Sequence, residues 1–182
     1  MNIAVYLASS DGSSPELREA VAELGKWIGE SGNSLVYGGS KSGLMGVIAD
    51  STLEAGGKVL GVEPQFFVDM GYVHPGITEL ITTETMAERR SKMIEYAQCF
   101  IAVPGGVGTL DEISEVICLK ALGKLAYNDA PCIMYNLNGF YDRLKEQFEI
   151  MEEWGLASKN KIDNVLFVND LQGIKDILTE KK

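Results

Sequence analysis

Cys99-Phe-Ile-Ala-Val103-Pro-Gly-Gly-Val-Gly108-Thr-Leu-Asp-Glu112 is the stretch that decides the architecture. Residues 99–103 are apolar and read as a buried strand, residues 110–122 read as a helix, and a proline and three glycines join them. A strand, a glycine-rich turn and a helix start, in that order, make a seat for an anion. Glycine lets the backbone approach a phosphate with no side chain in the way. The first N–H groups of a helix have no partner inside it and point out at a ligand. A plainer reading stands beside this one. Thr109-Leu-Asp-Glu112 fits the capping box S/T-x-x-E, and glycine-rich turns also occur where the chain has only to turn tightly. Two features favour the anion seat. Pro104, Gly105, Gly106 and Gly108 exceed what a turn needs, and a second glycine-rich turn, Gly38-Gly39-Ser-Lys-Ser-Gly43-Leu-Met-Gly46, follows another apolar strand at 34–37. Two such turns meet at the carboxyl edge of one parallel sheet, where α/β proteins bind ligands.

Working outward, strands and helices alternate along the whole chain. Strands are expected over 2–8, 34–37, 58–62, 79–82, 99–103, 131–135 and 165–168, and an irregular stretch from 63 through Gly76. Helices are expected over 15–30, 44–55, 86–97, 110–122, 140–154 and 171–179. Ser14-Pro15 supplies an N-cap and a proline at the first helical position, and Thr85-x-x-Glu88 is a further capping box. Apolar strands lying between helices imply a parallel sheet covered on both faces. The expected fold is therefore α/β, a doubly wound, mainly parallel sheet with helices on both faces, in a single domain over residues 1–182.

Composition narrows the partners. A formal net charge of -10 argues against nucleic acid and anionic membrane, and no apolar run approaches the ~18 residues of a membrane span. The N-terminal residues enter a strand directly, without the pattern of a signal peptide. Cys99, Cys118 and Cys132 lie apart in apolar runs, which argues for buried free thiols and a reducing cytoplasm. His74 is the only histidine, so no metal cluster built on histidine and no Ser-His-Asp triad is expected.

Candidate residues follow from helical phase. At about 100° per residue, Met86, Met93, Ile94 and Ala97 share a stripe, with Arg90 inside it and Arg89 at its edge. An arginine on a core-facing stripe needs a counter-charge or must reach a wet cleft. It is either a structural salt bridge, to Glu112 or Glu115, or part of an anion site, since guanidinium groups match phosphate geometry. Glu112 falls between Val116 and Leu119 on a helix that is apolar nearly all round and so is expected to be deeply buried. Beside a phosphate loop it could cap the helix, accept from ribose hydroxyls, stabilise positive charge on a sugar carbon or activate water. Ser9, Ser10, Ser13 and Ser14 could donate to a ligand from the first loop, or serve as turn and cap residues. No Gly-x-Gly-x-x-Gly follows the first strand, and no Ser or Thr follows any Gly-Lys pair, so the dinucleotide and triphosphate fingerprints are missing.

Pro104-Gly-Gly-Val-Gly-Thr-Leu-Asp-Glu112 resembles the PGGxGTxxE motif of the Lonely guy (LOG) family, and Met86-Ala-Glu-Arg-Arg-Ser-Lys-Met93 resembles its companion MHxRK segment. Val36-Tyr-Gly-Gly-Ser-Lys-Ser-Gly-Leu-Met-Gly46 is similar to the family's second-strand turn, and Gly61-Val-Glu-Pro64 and Asn138-Gly-Phe-Tyr141 match in place. The resemblance covers residues 2–156. It implies a Rossmann-like homodimer without cofactor that hydrolyses the N-glycosidic bond of a nucleoside 5′-monophosphate, AMP or a cytokinin nucleotide, to free base and ribose 5-phosphate. By position it makes Arg89 and Glu112 catalytic. Gly38, Gly39, Gly43, Arg90, Gly105, Gly106, Val107, Gly108 and Thr109 become substrate-binding residues. Arg90 stands where the family has lysine, Ala87 where it has histidine, and Leu7-Ala8-Ser9-Ser10 where many members have CGSS. The same fold family includes carriers that resemble molybdenum cofactor-binding proteins, so a non-catalytic carrier is the alternative. A nucleotide-binding regulatory protein is a third reading.

Overall fold

The computed structural model describes residues 1–158 and 164–179. Seven strands, β1 (Asn2–Tyr6), β2 (Ser34–Tyr37), β3 (Lys58–Pro64), β4 (Glu79–Thr83), β5 (Cys99–Ala102), β6 (Cys132–Tyr135) and β7 (Val165–Val168), form one sheet in the order β4-β3-β2-β1-β5-β6-β7. Every neighbouring pair is parallel. The helices are α1 (Pro15–Glu30), α2 (Gly43–Glu54), α3 (Gln65–Asp69), α4 (Met86–Tyr96), α5 (Val107–Ala121), α6 (Asp142–Glu153) and α7 (Leu171–Thr179).

The period-two alternation of the strands sorts the core into two layers. Ile3, Val5, Leu35, Tyr37 and Ile101 pack with Val21, Leu24 and Ile28 of α1, Leu44 and Ile48 of α2, and Ile174 and Leu178 of α7. Ala4, Tyr6, Val36, Phe100 and Ala102 face the other way, onto Met93 and Ile94 of α4, Ile113 and Val116 of α5, and Leu144 and Phe148 of α6. Beyond the first residue of β1 and of β2, every residue of these three strands is buried on one face or the other, which is why they read as continuous apolar runs.

The order reverses at β1. Chain-adjacent strands run outward to β4 on one side, while β5 joins β1 on the other, Ile3 opposite Cys99 and Tyr6 opposite Ala102. Loops leaving β1 and β5 therefore diverge to opposite faces and open a crevice at the carboxyl edge.

Local chemistry sets several boundaries. Ser14 accepts from the Leu17 N–H, with Pro15 in the first turn of α1. Thr85 caps α4 by accepting from the Glu88 N–H at 3.1 Å, and the Glu88 carboxylate reaches back to the Glu84 N–H at 2.8 Å. Four expectations need correction. The helix after β5 starts at Val107 with Gly106 as its N-cap, three residues before the expected 110, so Thr109 and Glu112 sit inside it and form no capping box. That helix is not buried all round, since only Thr109, Glu112, Ile113 and Val116 are buried, while Leu110 and the following Leu122 are exposed. Cys118 is likewise exposed, whereas Cys99 and Cys132 are buried. The stretch expected to be irregular after β3 contains α3. The helix expected over 140–154 is present as α6, preceded by a 3-10 turn at Leu137–Gly139.

Candidate functional site

A cleft of about 690 Å³ opens at the carboxyl edge over the β1/β5 crevice. Ser9 and Ser10 line it from the loop after β1, Ser40 and Ser42 from the loop after β2, and Glu63 from the end of β3. Arg89 enters from α4, and Gly106, Val107, Gly108, Thr109, Asp111 and Glu112 come from the start of α5.

The start of α5 is built to be open. No side chain caps it, so its first N–H groups have no intrahelical partner and carry the positive end of the helix dipole. A Cβ on Gly106 or Gly108 would meet nothing within 4 Å, so these glycines leave bare backbone facing space. Gly105 has a different reason, since a Cβ there would overlap the Thr109 side chain, which is buried against the loop. The loop's entry is fixed from below. Tyr141 Oη donates to the Val103 carbonyl at 2.8 Å, and the Val103 N–H donates to the Tyr6 carbonyl at 2.9 Å.

Arg89 is 6% exposed. Its Nε donates to the Val62 carbonyl at 3.1 Å and its Nη2 to the Gly38 carbonyl at 3.3 Å, while Nη1 lies 3.6 Å from Glu112 Oε1. Gly38 makes room for this guanidinium, because a Cβ at that position would overlap Nη2. Gly39, at φ +81°, turns the chain past Glu63, and a Cβ there would stand 2.9 Å from Glu63 Oε2. Gly43, at φ +54°, packs against the Ser9 carbonyl. These three glycines shape the wall and do not themselves line the cleft.

Arg90 is not one of the residues lining the cleft. Its Nε donates to Glu115 Oε2 at 2.6 Å and its Nη1 lies 3.0 Å from Asp111 Oδ2, which ties α4 to α5. The stripe assigned from phase thus has its two arginines exchanged: Arg89 is the buried one and Arg90 the half-exposed one. Carboxylates on the neighbouring helix decide this, and they are invisible to the phase of α4 alone.

Two carboxyl groups share the interior with Arg89. Glu112 is 6% exposed, and burial pushes its carboxyl up to about 7 against the opposing pull of Arg89. Glu63 is 3% exposed and is also pushed up to about 7 by burial, with Arg89 pulling down and Glu112 adding to the rise. Near neutrality such groups are split between acid and base forms, which is the condition for proton transfer.

Sequence reasoning missed Glu63, Phe67 and Tyr72 as parts of the wall. Glu63 had a signal: it is the one charged residue after Val59-Leu-Gly-Val62, at the end of a strand whose last residues face the ligand edge. Tyr72 had none. It is delivered by a backbone ladder in which the Lys41 N–H donates to the Tyr72 carbonyl, Ser40 pairs Val73, and the His74 N–H donates to the Gly39 carbonyl. His74 is structural here. Its Nδ1 accepts from the Gly76 N–H, and its Nε2 meets Asp50 Oδ1 at 2.9 Å. Among the described residues no group of three His, Cys, Asp or Glu side chains could hold a metal ion, and no helix is long and apolar enough to cross a membrane.

A family model described as "Possible lysine decarboxylase" matches residues 45–178. The chain is 33% identical to the cytokinin riboside 5′-monophosphate phosphoribohydrolase of Rhodococcoides fascians over 94% of this chain and 86% of that protein. It is 32% identical to the protein of the same name in Mycobacterium marinum over 93% and 88%. It is 38% identical to the cytokinin riboside 5′-monophosphate phosphoribohydrolase LOG of Oryza sativa subsp. japonica over 77% of this chain. The chain spans 57% of that plant protein's length. In fold it is similar to the molybdenum cofactor binding protein from the phototrophic bacterium Rippkaea orientalis, with TM-score 0.73 and 19% identity over 98% and 95% of the two chains.

Proposed function

The chain belongs to the family described as "Possible lysine decarboxylase", the Lonely guy family, and from that premise we propose that it is a nucleoside 5′-monophosphate phosphoribohydrolase. It hydrolyses the N-glycosidic bond of AMP or a cytokinin riboside monophosphate, giving free base and ribose 5-phosphate. The observation that carries this reading is the buried Arg89–Glu112 pair lining a cleft beside the uncapped start of α5.

In this reading the 5′-phosphate sits on the N–H groups of Val107, Gly108 and Thr109, with Gly105 and Gly106 keeping the approach clear. Phosphate binding is remote from the reacting bond, so it can position the sugar. Glu112, one turn and a half deeper in α5, then faces the anomeric carbon. Its ionised form stabilises the oxocarbenium character that develops there and takes the proton of the attacking water. Arg89 holds Glu112 and reaches toward the ribose. Gly38, Gly39 and Gly43 shape the wall that lets Arg89 do so. Arg90 acts as a positioning residue by locking α4 to α5. No lysine decarboxylation is part of this reading, because none of these residues is suited to a pyridoxal Schiff base.

The same reading makes residues 1–182 one domain, working as a homodimer in a reducing cytoplasm, where cysteines outside any disulfide, such as Cys99 and Cys132, persist. The decisive experiment incubates the purified protein with a panel of nucleoside monophosphates and with the matching nucleosides, and follows free base. AMP is expected to be turned over and adenosine to be a poor substrate. Equal turnover of the two would sink the phosphate-anchoring argument. Absence of base release from every monophosphate would transfer the site to a carrier that binds without cleaving.

A further inference from the structure

The order of strands along the carboxyl edge gives the cleft a direction. The anion seat lies after β5, Arg89 and Glu112 lie over the middle, and Glu63 ends β3, two strands beyond β1. A nucleotide anchored by its phosphate on α5, with its ribose at Glu112, carries its base toward the ends of β2 and β3. There the wall is Glu63, Phe67, Tyr72 and Met45.

Glu63 is unusual in that place. Its Oε2 is fully buried with no hydrogen-bond partner among the described residues, and it backs onto Gly39. An ionised carboxylate with a bare oxygen in the interior is costly, whereas its neutral acid form is far less so. Arg89 does not remove the cost. Its Nε and Nη2 are committed to the Val62 and Gly38 carbonyls, and its Nη1 faces Glu112. The charged and titratable groups around Glu63 are Arg89 from α4, Glu112 from α5 and the hydroxyl of Tyr37 from β2. Of these only Arg89 favours ionisation, and one guanidinium stands between two carboxyls. A proton retained by the pair therefore has a natural place on Glu63.

Resting on the phosphoribohydrolase reading, we propose that Glu63 is the proton donor to the leaving base, working across the cleft from Glu112. As the C1′–N bond breaks, its electron pair passes to the base, and a ring nitrogen of the base takes the Glu63 proton. Water adds its hydroxyl to C1′ and gives its proton to Glu112. Loss of that proton to solvent and uptake of one by Glu63 restore both groups, so the balance is one water consumed, one base and one ribose 5-phosphate formed. The leaving group is thus a nucleobase with an acceptor nitrogen, neutralised as it departs.

The test compares two leaving groups. Glu63→Gln keeps the shape and removes the transferable proton. AMP needs protonation of its base, whereas ribose 5-phosphate bearing 4-nitrophenolate at C1′ releases a stable anion without one. Glu63→Gln is expected to lose ~100-fold or more in turnover of AMP, as when a positioned acid is removed, and to lose little on the nitrophenyl substrate. Retained turnover of that substrate also reports a folded site. The alkaline fall of the wild-type pH profile with AMP is expected to disappear in the variant. Comparable losses on both substrates, or near-normal turnover of AMP, would overturn the assignment. A wild-type protein that releases no base overturns the phosphoribohydrolase reading itself. An active wild type beside an unimpaired Glu63→Gln overturns the Glu63 assignment alone.

Discussion

In the proposed hydrolysis Glu112 works as the ionised carboxylate, yet it is buried where ionisation is disfavoured. Its carboxyl and that of Glu63 are raised from the ordinary 4.5 to about 7. Between those values the folded protein binds more protons than the unfolded chain, so stability falls as pH rises from about 4.5 to 7 and levels off above. Base release depends on ionised Glu112 and is expected to rise over the upper part of that window. Urea midpoints measured from pH 4.5 to 8 should show the decline. Glu112→Gln should make it shallower, leaving the share of Glu63, match or exceed the wild type in stability at pH 8, and lose ~100-fold or more in turnover. A variant that keeps its activity would remove Glu112 from the mechanism. Glu112 and Arg89 were legible in the sequence because their residue types recur at fixed positions in two motifs. Glu63 was legible only in part: it is the one charged residue at the end of an apolar strand, in Gly61-Val-Glu-Pro64, but only the strand order places it over the crevice.

At the scale of one element, α5 shows what sequence could and could not fix. Its existence and its glycine-rich entry were plain, but its start was misplaced by three residues because Thr109-x-x-Glu112 imitates a capping box. What overrides that local signal is the packing of the loop: Gly106 holds the N-cap position with no side-chain bond, and Thr109 is buried against Gly105. The two exposed glycines then separate binding from stability. Gly108→Ala adds a better helix former in the first turn and meets no neighbour, so its melting temperature should hold or rise. A methyl group in the phosphate path should raise KM for AMP by roughly tenfold, the equivalent of one weakened bond to a charged group. Gly38→Ala should act through kcat instead, because its methyl displaces Arg89. An unchanged KM in Gly108→Ala, measured by initial rates, would move the phosphate elsewhere.

The whole molecule keeps an apolar surface that its own sheet does not cover. Val107 is 87% exposed and Leu122 65%, with Leu110 between them on α5. The apolar pattern of this helix suggested deep burial, and one sheet can satisfy only one of its faces. A second copy against the other face would complete the pattern. Light scattering at micromolar concentration should give the mass of a dimer, and Leu122→Asp should shift it toward monomer. A fully active monomer would dismiss the pairing. The alternation of strands and helices, and hence the parallel sheet, was readable along the chain. The order of the strands was not, because apolar runs state that a strand is covered on both faces without naming its neighbours.

That order also bears on how the chain acquires its activity. β1 meets β2 through a short stretch of chain, but it meets β5 only when Ile3 finds Cys99. Closing so long a loop costs entropy before any contact repays it, and topologies rich in such pairings assemble slowly. The cleft straddles the β1–β5 seam, with serines from one side and the start of α5 from the other. A partly folded chain that has built only β1 to β4 holds Glu63 but neither Arg89 nor Glu112 in place. In the proposed reading, competence to break a glycosidic bond requires the β1–β5 pairing, so a chain that has not made it is expected to release no base.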